Sequence, residues 1–156
     1  MVDLSNNNLL APIPSEIGKL TLLEGLLLSE NHLADSISAT ISVLTKLLHM
    51  DLSMNSLSSS IPSEIGNILS LQWLNLGSNA LKGEVPTEIG MLADLTHLDM
   101  ASNQLSYELP SEIEKLIRLK EMLVQDNKLL GPGAPYHLRL ACLKNGDIQH
   151  GRSLYV

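Results

Sequence analysis

Aromatic residues are scarce in this 156-residue sequence, where they make up 3% of the chain and phenylalanine is absent. The 44% of hydrophobic residues are therefore mainly Leu, Ile, Val, Met and Ala. Aliphatic side chains of similar size suit thin, uniform layers better than a globular core built around aromatic rings. The length is that of a single domain, and the composition favours a repeated unit.

Cysteine, glycosylation sequons and long apolar runs are also lacking. Cys142 is the sole cysteine, which excludes an internal disulfide, and no Asn-x-Ser/Thr sequon occurs. The longest apolar runs, such as the three leucines at 26–28, are far too short for a membrane span. The residues after Met1 have neither the basic start nor the apolar stretch of a signal peptide. We therefore expect no membrane span in this chain and no secretion signal at its start.

Positive charge is in short supply. The chain has 17 Asp and Glu residues against 10 Lys and Arg residues, which gives a net charge of −7. Binding to nucleic acid or to an anionic membrane requires a basic patch that neutralises phosphates, and this composition provides none. We expect neither of these partners.

An internal repeat of 24 residues dominates the sequence. Asparagine recurs at this interval, and apolar residues accompany it in parallel tracks. The asparagines are Asn7, Asn31, Asn55, Asn79, Asn103 and Asn127. One apolar track runs through Leu4, Leu28, Leu52, Leu76, Met100 and Val124, and another through Ile17, Ile41, Ile65, Ile89 and Ile113. A register that holds over so many positions predicts a solenoid of stacked coils.

Each unit has the pattern of a strand, a turn and a short return segment. The spacing L-x-x-L-x-L is that of a strand and predicts inward-facing leucines, for example Leu74 and Leu76. The Asn that follows both donates and accepts hydrogen bonds, so the asparagines are expected to satisfy backbone groups of the turns and to form a ladder. A Pro followed by Ser-Glu or Thr-Glu predicts a short helix in most units. Gly18, Gly66 and Gly90 are expected to let the chain bend back.

This pattern resembles the plant-type leucine-rich repeat of receptor-like kinases, receptor-like proteins and polygalacturonase inhibitors. The signature L-x-x-L-x-L-x-x-N-x-L-x-G-x-I-P-x-x-I-G-x-L is almost complete in LQWLNLGSNALKGEVPTEIGML, residues 71–92. The glycine after the N-x-L step is kept at Gly83 and Gly131 and is replaced by Ala11, Asp35, Ser59 and Tyr107 elsewhere. The resemblance implies an α/β solenoid, a horseshoe of about five to six coils with a parallel sheet on its concave face.

We expect this solenoid to comprise residues 1–131 and residues 132–156 to form an irregular tail. The tail either caps the last coil in part, through Leu138 and Leu140, or leaves it open. The chain opens within a strand that has no polar cap before it. The first coil should therefore offer an apolar edge for self-association. The residues expected to be exposed there are Leu4, Leu9, Ile13 and Ile17.

The concave face should carry the variable residues. With Leu74 and Leu76 inward, Trp73 and Asn75 point outward, and the 24-residue step places their equivalents on the neighbouring strands. The predicted ligand-binding residues are His49, Asp51, Trp73, Asn75, His97, Asp99 and Glu121. An aromatic anchor among polar groups is typical of a binding hot spot. The alternative is that Trp73 only shields strand edges or covers a neighbouring histidine.

The repeated His-x-Asp, at His49 to Asp51 and His97 to Asp99, is a weak indication of a metal or catalytic site. The two histidines should lie two strands apart, about 10 Å, with Trp73 between them, and no cysteine or serine completes a triad. Duplication of one repeat accounts for the pair. We expect no metal, no cofactor and no enzyme activity, since the sequence has no kinase glycine loop, catalytic Asp loop or phosphate-binding motif.

The resemblance implies a recognition module that binds a protein or peptide on its concave face. Such a module is the ligand-sensing part of a receptor-like signalling protein, with a co-receptor as a further partner and any kinase on another segment. The alternative is an intracellular leucine-rich repeat scaffold or inhibitor, which the missing signal peptide and sequons favour. The first interpretation places the protein at the cell surface, and the second places it in the cytoplasm.

Overall fold

The computed structural model of the protein describes residues 1–130, which form a stack of coils. Each coil adds a strand to a shared parallel sheet, and a short helix follows in most coils. The predictions for Leu138, Leu140 and the tail from residue 132 onward fall outside the described residues. In the described part of the chain, no helix has the length and apolar character needed to cross a bilayer.

Eleven short strands occur within residues 1–130. In chain order they are β1 (Val2–Asp3), β2 (Gly25–Leu27), β3 (Ala34–Asp35), β4 (His49–Asp51), β5 (Ser56–Leu57), β6 (Trp73–Asn75), β7 (Lys82–Gly83), β8 (His97–Asp99), β9 (Gln104–Tyr107), β10 (Glu121–Leu123) and β11 (Lys128–Leu129). The order β1-β2-β4-β6-β8-β10 forms one six-stranded parallel sheet, called the concave sheet below. The other strands pair in smaller parallel sheets. The predicted parallel solenoid is confirmed.

The helical segments are five-residue 3-10 helices. They are η1 (Ser15–Lys19), η2 (Ala39–Val43), η3 (Ser63–Asn67), η4 (Thr87–Met91) and η5 (Ser111–Lys115). Proline precedes four of them, and its fixed φ starts the helix without a side-chain cap. Before η2 the proline is missing, and the side chain of Ser38 accepts a hydrogen bond from the amide of Thr40 at 3.3 Å instead. A capping serine thus replaces the proline in the second coil.

The core is a continuous aliphatic layer that runs through all the coils. The inward residues Leu71, Leu74 and Leu76 are fully buried, as predicted. At the first coil, Leu4 is 46% exposed, but Ile13 is only 5% exposed, so the prediction of an exposed Ile13 is wrong. Ile13 belongs to the core because the second coil covers it, and Ile17 packs against the same cluster. Leu9 is 36% exposed; self-association through this edge stays a prediction.

The repeated asparagines tie each coil to the preceding one. Asn79 Nδ2 donates to the carbonyl of Leu52 in the preceding coil at 3.0 Å. It also donates to the carbonyls of Leu76 and Gly77 in its own coil, at 3.2 Å each. Its Oδ1 accepts from the amide of Leu57, again in the preceding coil, at 3.0 Å. The same set of bonds is made by Asn31, Asn55, Asn103 and Asn127.

The glycines of the 3-10 helices permit close packing between coils. Gly18, Gly66 and Gly90, which were predicted to let the chain bend back, have no positive φ, so a bend at these positions needs no conformation that is special to glycine. A Cβ atom at Gly66 would lie 2.5 Å from the carbonyl oxygen of Glu88 in the next coil, and one at Gly90 would lie 2.5 Å from that of Glu112. Any side chain at these positions would force successive helices apart.

Backbone strain recurs where the signature places a glycine. Gly83 has a φ of 83°, and the equivalent Asp35, Ser59 and Tyr107 have φ values of 67°, 69° and 66°. This left-handed conformation costs a residue with a Cβ atom about 1–2 kcal/mol. The coils of Asp35, Ser59 and Tyr107 therefore keep the backbone of the signature and bear the strain, whereas Ala11 in the first coil has no positive φ.

Removal of one amide from the asparagine ladder tests how strongly it joins the coils. Asn79→Ala removes four hydrogen bonds and leaves the buried N–H group of Leu57 unpaired, whereas the three carbonyls each keep another donor. We expect the free energy of unfolding to fall by about 3 kcal/mol. Urea denaturation followed by far-UV circular dichroism measures this. Asn7→Ala is the matched control, because the side chain of Asn7 bonds only the carbonyls of Leu4 and Ser5 in its own coil. Equal losses in the two variants would contradict a special role for the bonds between coils.

Relief of the strain at Tyr107 should stabilise the protein. Tyr107 is 60% exposed, so Tyr107→Gly removes little packing. We expect the free energy of unfolding to rise by about 0.5–1 kcal/mol, which is the strain minus the greater unfolded-state entropy of glycine. Ser106→Gly, one residue earlier and without a positive φ, should lower it by a similar amount. Thermal unfolding of both variants measures these changes in stability. A Tyr107→Gly protein less stable than the wild type would contradict the predicted relief of strain.

Candidate functional site

The concave sheet brings the predicted ligand-binding residues into two rows. The first row contains His49, Trp73, His97 and Glu121, and the second contains Asp51, Asn75 and Asp99. Trp73 lies in the middle of the face and is 38% exposed. His49 and Glu121 are exposed as well. His97 is 8% exposed and offers little surface to a ligand, although its side chain lies on the outward face.

Trp73 and His97 form a stacked pair. Their ring centroids are 3.6 Å apart, and the ring planes differ by 8°. On its far side, His97 Nδ1 lies 2.9 Å from Oε2 of Glu121. Three neighbouring strands thus contribute an indole, an imidazole and a carboxylate in continuous contact. Trp73 therefore covers a neighbouring histidine, as one of the two sequence-based interpretations predicted. Its indole is also 38% exposed, so part of it remains accessible to a ligand.

The aspartates of the second row are partly bound to the backbone. Asp51 Oδ1 accepts from the amide and the hydroxyl of Ser53 at 3.0 and 2.6 Å, and Asp99 Oδ1 accepts from the amide of Ala101 at 2.8 Å. Within residues 1–130, Oδ2 of each aspartate makes no hydrogen bond and is available to a ligand. Gly77 makes room for Asp99, because a Cβ atom at Gly77 would lie 3.0 Å from its Oδ1.

The His-x-Asp pairs do not form a metal centre in the described part of the chain. Among residues 1–130, no three His, Cys, Asp or Glu side chains lie close enough to share an ion. Strand β6 separates the strands of His49 and His97, and Trp73 stands between the two histidines in the row. These side chains therefore belong to a polar surface around an aromatic centre.

An acidic groove of about 1200 Å³ lies outside the concave sheet and is formed by three coils. It is lined by residues 60–64, 84–88 and 108–114. Its carboxylates repeat with the coils, and those of Glu88 and Glu112 accept hydrogen bonds from the adjacent Thr87 and Ser111 at 3.2 and 3.3 Å. Within residues 1–130, no aromatic side chain lines the groove. The concave sheet is thus the stronger candidate for a recognition site.

The column pattern of the sequence identifies neighbours but not their contacts. Trp73 has a histidine on each side, and only the one at 97 stacks on it. The signal that distinguishes them is the next residue in the row, which is Glu121 beyond His97 and Gly25 beyond His49. Sequence reasoning also missed the space that Gly77 provides for Asp99.

Comparison with known proteins supports a plant receptor type of solenoid. The family model for the Leucine Rich Repeat matches residues 1–20, 46–68, 70–92 and 94–116. A sequence search of curated proteins gives no match. Similar solved structures include PEPR1–AtPEP1 (37% identity, TM-score 0.82), the plant peptide hormone receptor RGFR1 in complex with RGF2 (34%, 0.81), and the ectodomain of the Arabidopsis receptor kinase HAESA in complex with an IDA peptide hormone ligand (36%, 0.79).

The structural alignments cover most of this chain but only a small part of each receptor chain. The alignments cover 83%, 82% and 82% of this chain, but 18%, 20% and 22% of PEPR1, RGFR1 and HAESA, respectively. The present chain therefore spans about a fifth of the length of each receptor chain. Because the family model matches more than half of the sequence and the fold agrees, the chain belongs to the leucine-rich repeat family, in the plant type found in receptor ectodomains.

Proposed function

We propose that this chain is a non-catalytic recognition module whose peptide or protein ligand lies across the concave sheet and contacts Trp73. The observation that carries the proposal is the half-exposed indole at the middle of the sheet, in a chain that has one tryptophan. The peptide-bound receptor ectodomains among the similar structures support it. A rigid sheet loses little backbone entropy when a ligand binds, which favours such a surface. A cell-surface receptor and a co-receptor as second partner belong to the same proposal.

The charge of the concave sheet favours a ligand with basic residues. Four carboxylates stand at its outward positions, on Asp3, Asp51, Asp99 and Glu121. The outward positions of its strands carry no Lys or Arg. Complementary charge accelerates encounter and penalises partners of the wrong sign. An acidic peptide would meet repulsion on this face.

The indole can be tested with peptides selected on the protein itself. A random peptide library displayed on phage is selected against the immobilised 156-residue chain, and the enriched peptides are synthesised. Calorimetry then measures their affinity for the wild type and for Trp73→Ala. Because the substitution removes the aromatic anchor of the face, we expect a loss of affinity of about tenfold or more.

Met91→Ala is the matched control for the loss of an exposed apolar side chain. Met91 is 51% exposed and lies on η4, outside the concave sheet, so its replacement should leave the affinity unchanged. Equal losses in the two variants, or no loss in a folded Trp73→Ala protein, would contradict the proposed site. Enrichment of Asp and Glu in the selected peptides would contradict the charge argument.

A further inference from the structure

We propose that His97 and Glu121 are positioning residues for Trp73, so that the three side chains act as one preset recognition element across β6, β8 and β10. The inference rests on the proposed function, because it assigns two further residues to the binding of a ligand by Trp73. The carboxylate holds the imidazole, and the imidazole holds the indole.

The stacked pair is closer than the spacing of the strands requires. Neighbouring parallel strands lie about 4.8 Å apart, whereas the ring centroids of Trp73 and His97 lie 3.6 Å apart with nearly parallel planes. The two side chains therefore lean toward each other and exclude water from between their faces. This cover explains the low exposure of His97, which is 8% on an otherwise accessible face.

Glu121 determines how the imidazole ring is placed. Its Oε2 accepts a hydrogen bond from His97 Nδ1 at 2.9 Å, which requires a proton on Nδ1 in the neutral and the charged ring alike. A ring turned by half a rotation would present a carbon atom to the carboxylate and lose the bond. Glu121 thus selects both the tautomer and the orientation of the ring on which Trp73 stacks, while its own side chain is 56% exposed.

The other neighbour of Trp73 shows what happens without a carboxylate. His49 lies beside Trp73 on β4, in the register that mirrors His97. It is exposed, and its side chain makes no hydrogen bond or ring contact within residues 1–130. The next position beyond it, on β2, is Gly25, which has no side chain to hold the imidazole. A histidine supported by Glu121 therefore stacks on the indole, and one next to glycine does not.

A preset indole should bind more tightly than a mobile one. A side chain that is already held in place loses less conformational entropy when the ligand arrives. From the strength of aromatic pairs, we expect a loss of the contact to weaken binding about threefold to tenfold. The loss should be smaller than that in Trp73→Ala, because the indole itself remains.

The test uses Trp73 as its own reporter, since it is the only tryptophan of the chain. Acrylamide quenching of its fluorescence and its near-UV circular dichroism are measured in Glu121→Ala, Glu121→Gln, His97→Ala and His49→Ala, and the unfolding midpoint of each variant confirms the fold. The affinity of one phage-selected peptide is measured on the same proteins.

We expect Glu121→Ala and His97→Ala to increase the quenching of Trp73, to reduce its near-UV signal and to weaken peptide binding about threefold to tenfold. Glu121→Gln should keep the quenching and the near-UV signal of the wild type, because the amide oxygen still accepts from Nδ1, and it should bind the peptide more tightly than Glu121→Ala. His49→Ala should leave the quenching and the near-UV signal of Trp73 at their wild-type values, because His49 makes no ring contact with the indole. A role confined to stability would shift the unfolding midpoint without this pattern of rescue.

Wild-type quenching in both Glu121→Ala and His97→Ala would overturn the inference, and so would increased quenching with unchanged peptide affinity. Trp73→Ala separates this failure from that of the proposed function. If Trp73→Ala abolishes binding while Glu121→Ala and His97→Ala leave it intact, the positioning role fails alone. If Trp73→Ala also binds normally, the concave recognition site fails with it.

Discussion

The side-chain amide of the repeated asparagine is the interaction that fixes the spacing of this solenoid. In each coil after the first, one amide joins backbone groups of its own turn to a carbonyl and an N–H group of the preceding coil, as Asn79 does with Leu52 and Leu57. Leu52 and Leu57 are fully buried, so loss of the amide would leave the N–H group of Leu57 without a partner. A coil of a different length would misplace the Asn relative to them. The 24-residue period is therefore a hydrogen-bonding constraint as well as a packing one.

Because of this constraint, the separation of two residues in the sequence determines whether they are neighbours in the structure. Residues that are 24 positions apart lie side by side, and several pairs make direct contact. Arg118 donates to Asp94 at 2.7 Å, and the hydroxyl of Ser29 donates to that of Ser5 at 3.2 Å. Surface chemistry on this fold is thus organised in rows that run across the coils. The buried residues and the asparagines fix the register of the coils. The identities of the outward residues can therefore differ from coil to coil without changing the fold.

Much of the fold could be predicted because the same information is repeated in every coil. Leu74 and Leu76 are buried as expected. An apolar residue occupies the equivalent position in every coil, and each of these residues indicates the same inward face of the strand. The error at Ile13 has the opposite origin, because burial in the first coil depends on cover from the second, which a single unit does not specify. The packing constraint on Gly66 was missed for a related reason: it comes from the carbonyl of Glu88, 22 residues away and in another coil.

The candidate site could be predicted only as a set of positions. Periodicity places Trp73, His97 and Glu121 in one row, but it carries no information about rotamers. Whether the indole leans toward β4 or β8 is decided by the hydrogen bond that holds one imidazole and not the other. Nor does the repeat indicate that Asp99 needs the empty space above Gly77. Such contacts depend on the chemistry of unlike neighbours, which is what the repeat leaves unspecified.

The recognition surface is consequently a property of the order of the coils and not of any single coil. The coil of Trp73 has the most complete signature in the chain, yet by itself it would present an unsupported indole. The coil of His97 adds the stacking partner, and the coil of Glu121 adds the group that orients this partner. Exchange of the coils that carry Trp73 and His97 would preserve every core track and the asparagine ladder, because these positions are nearly identical. It would place the indole between the imidazole and the carboxylate and so remove the hydrogen bond that orients the imidazole. Stability and recognition are therefore encoded in different positions of the same repeat.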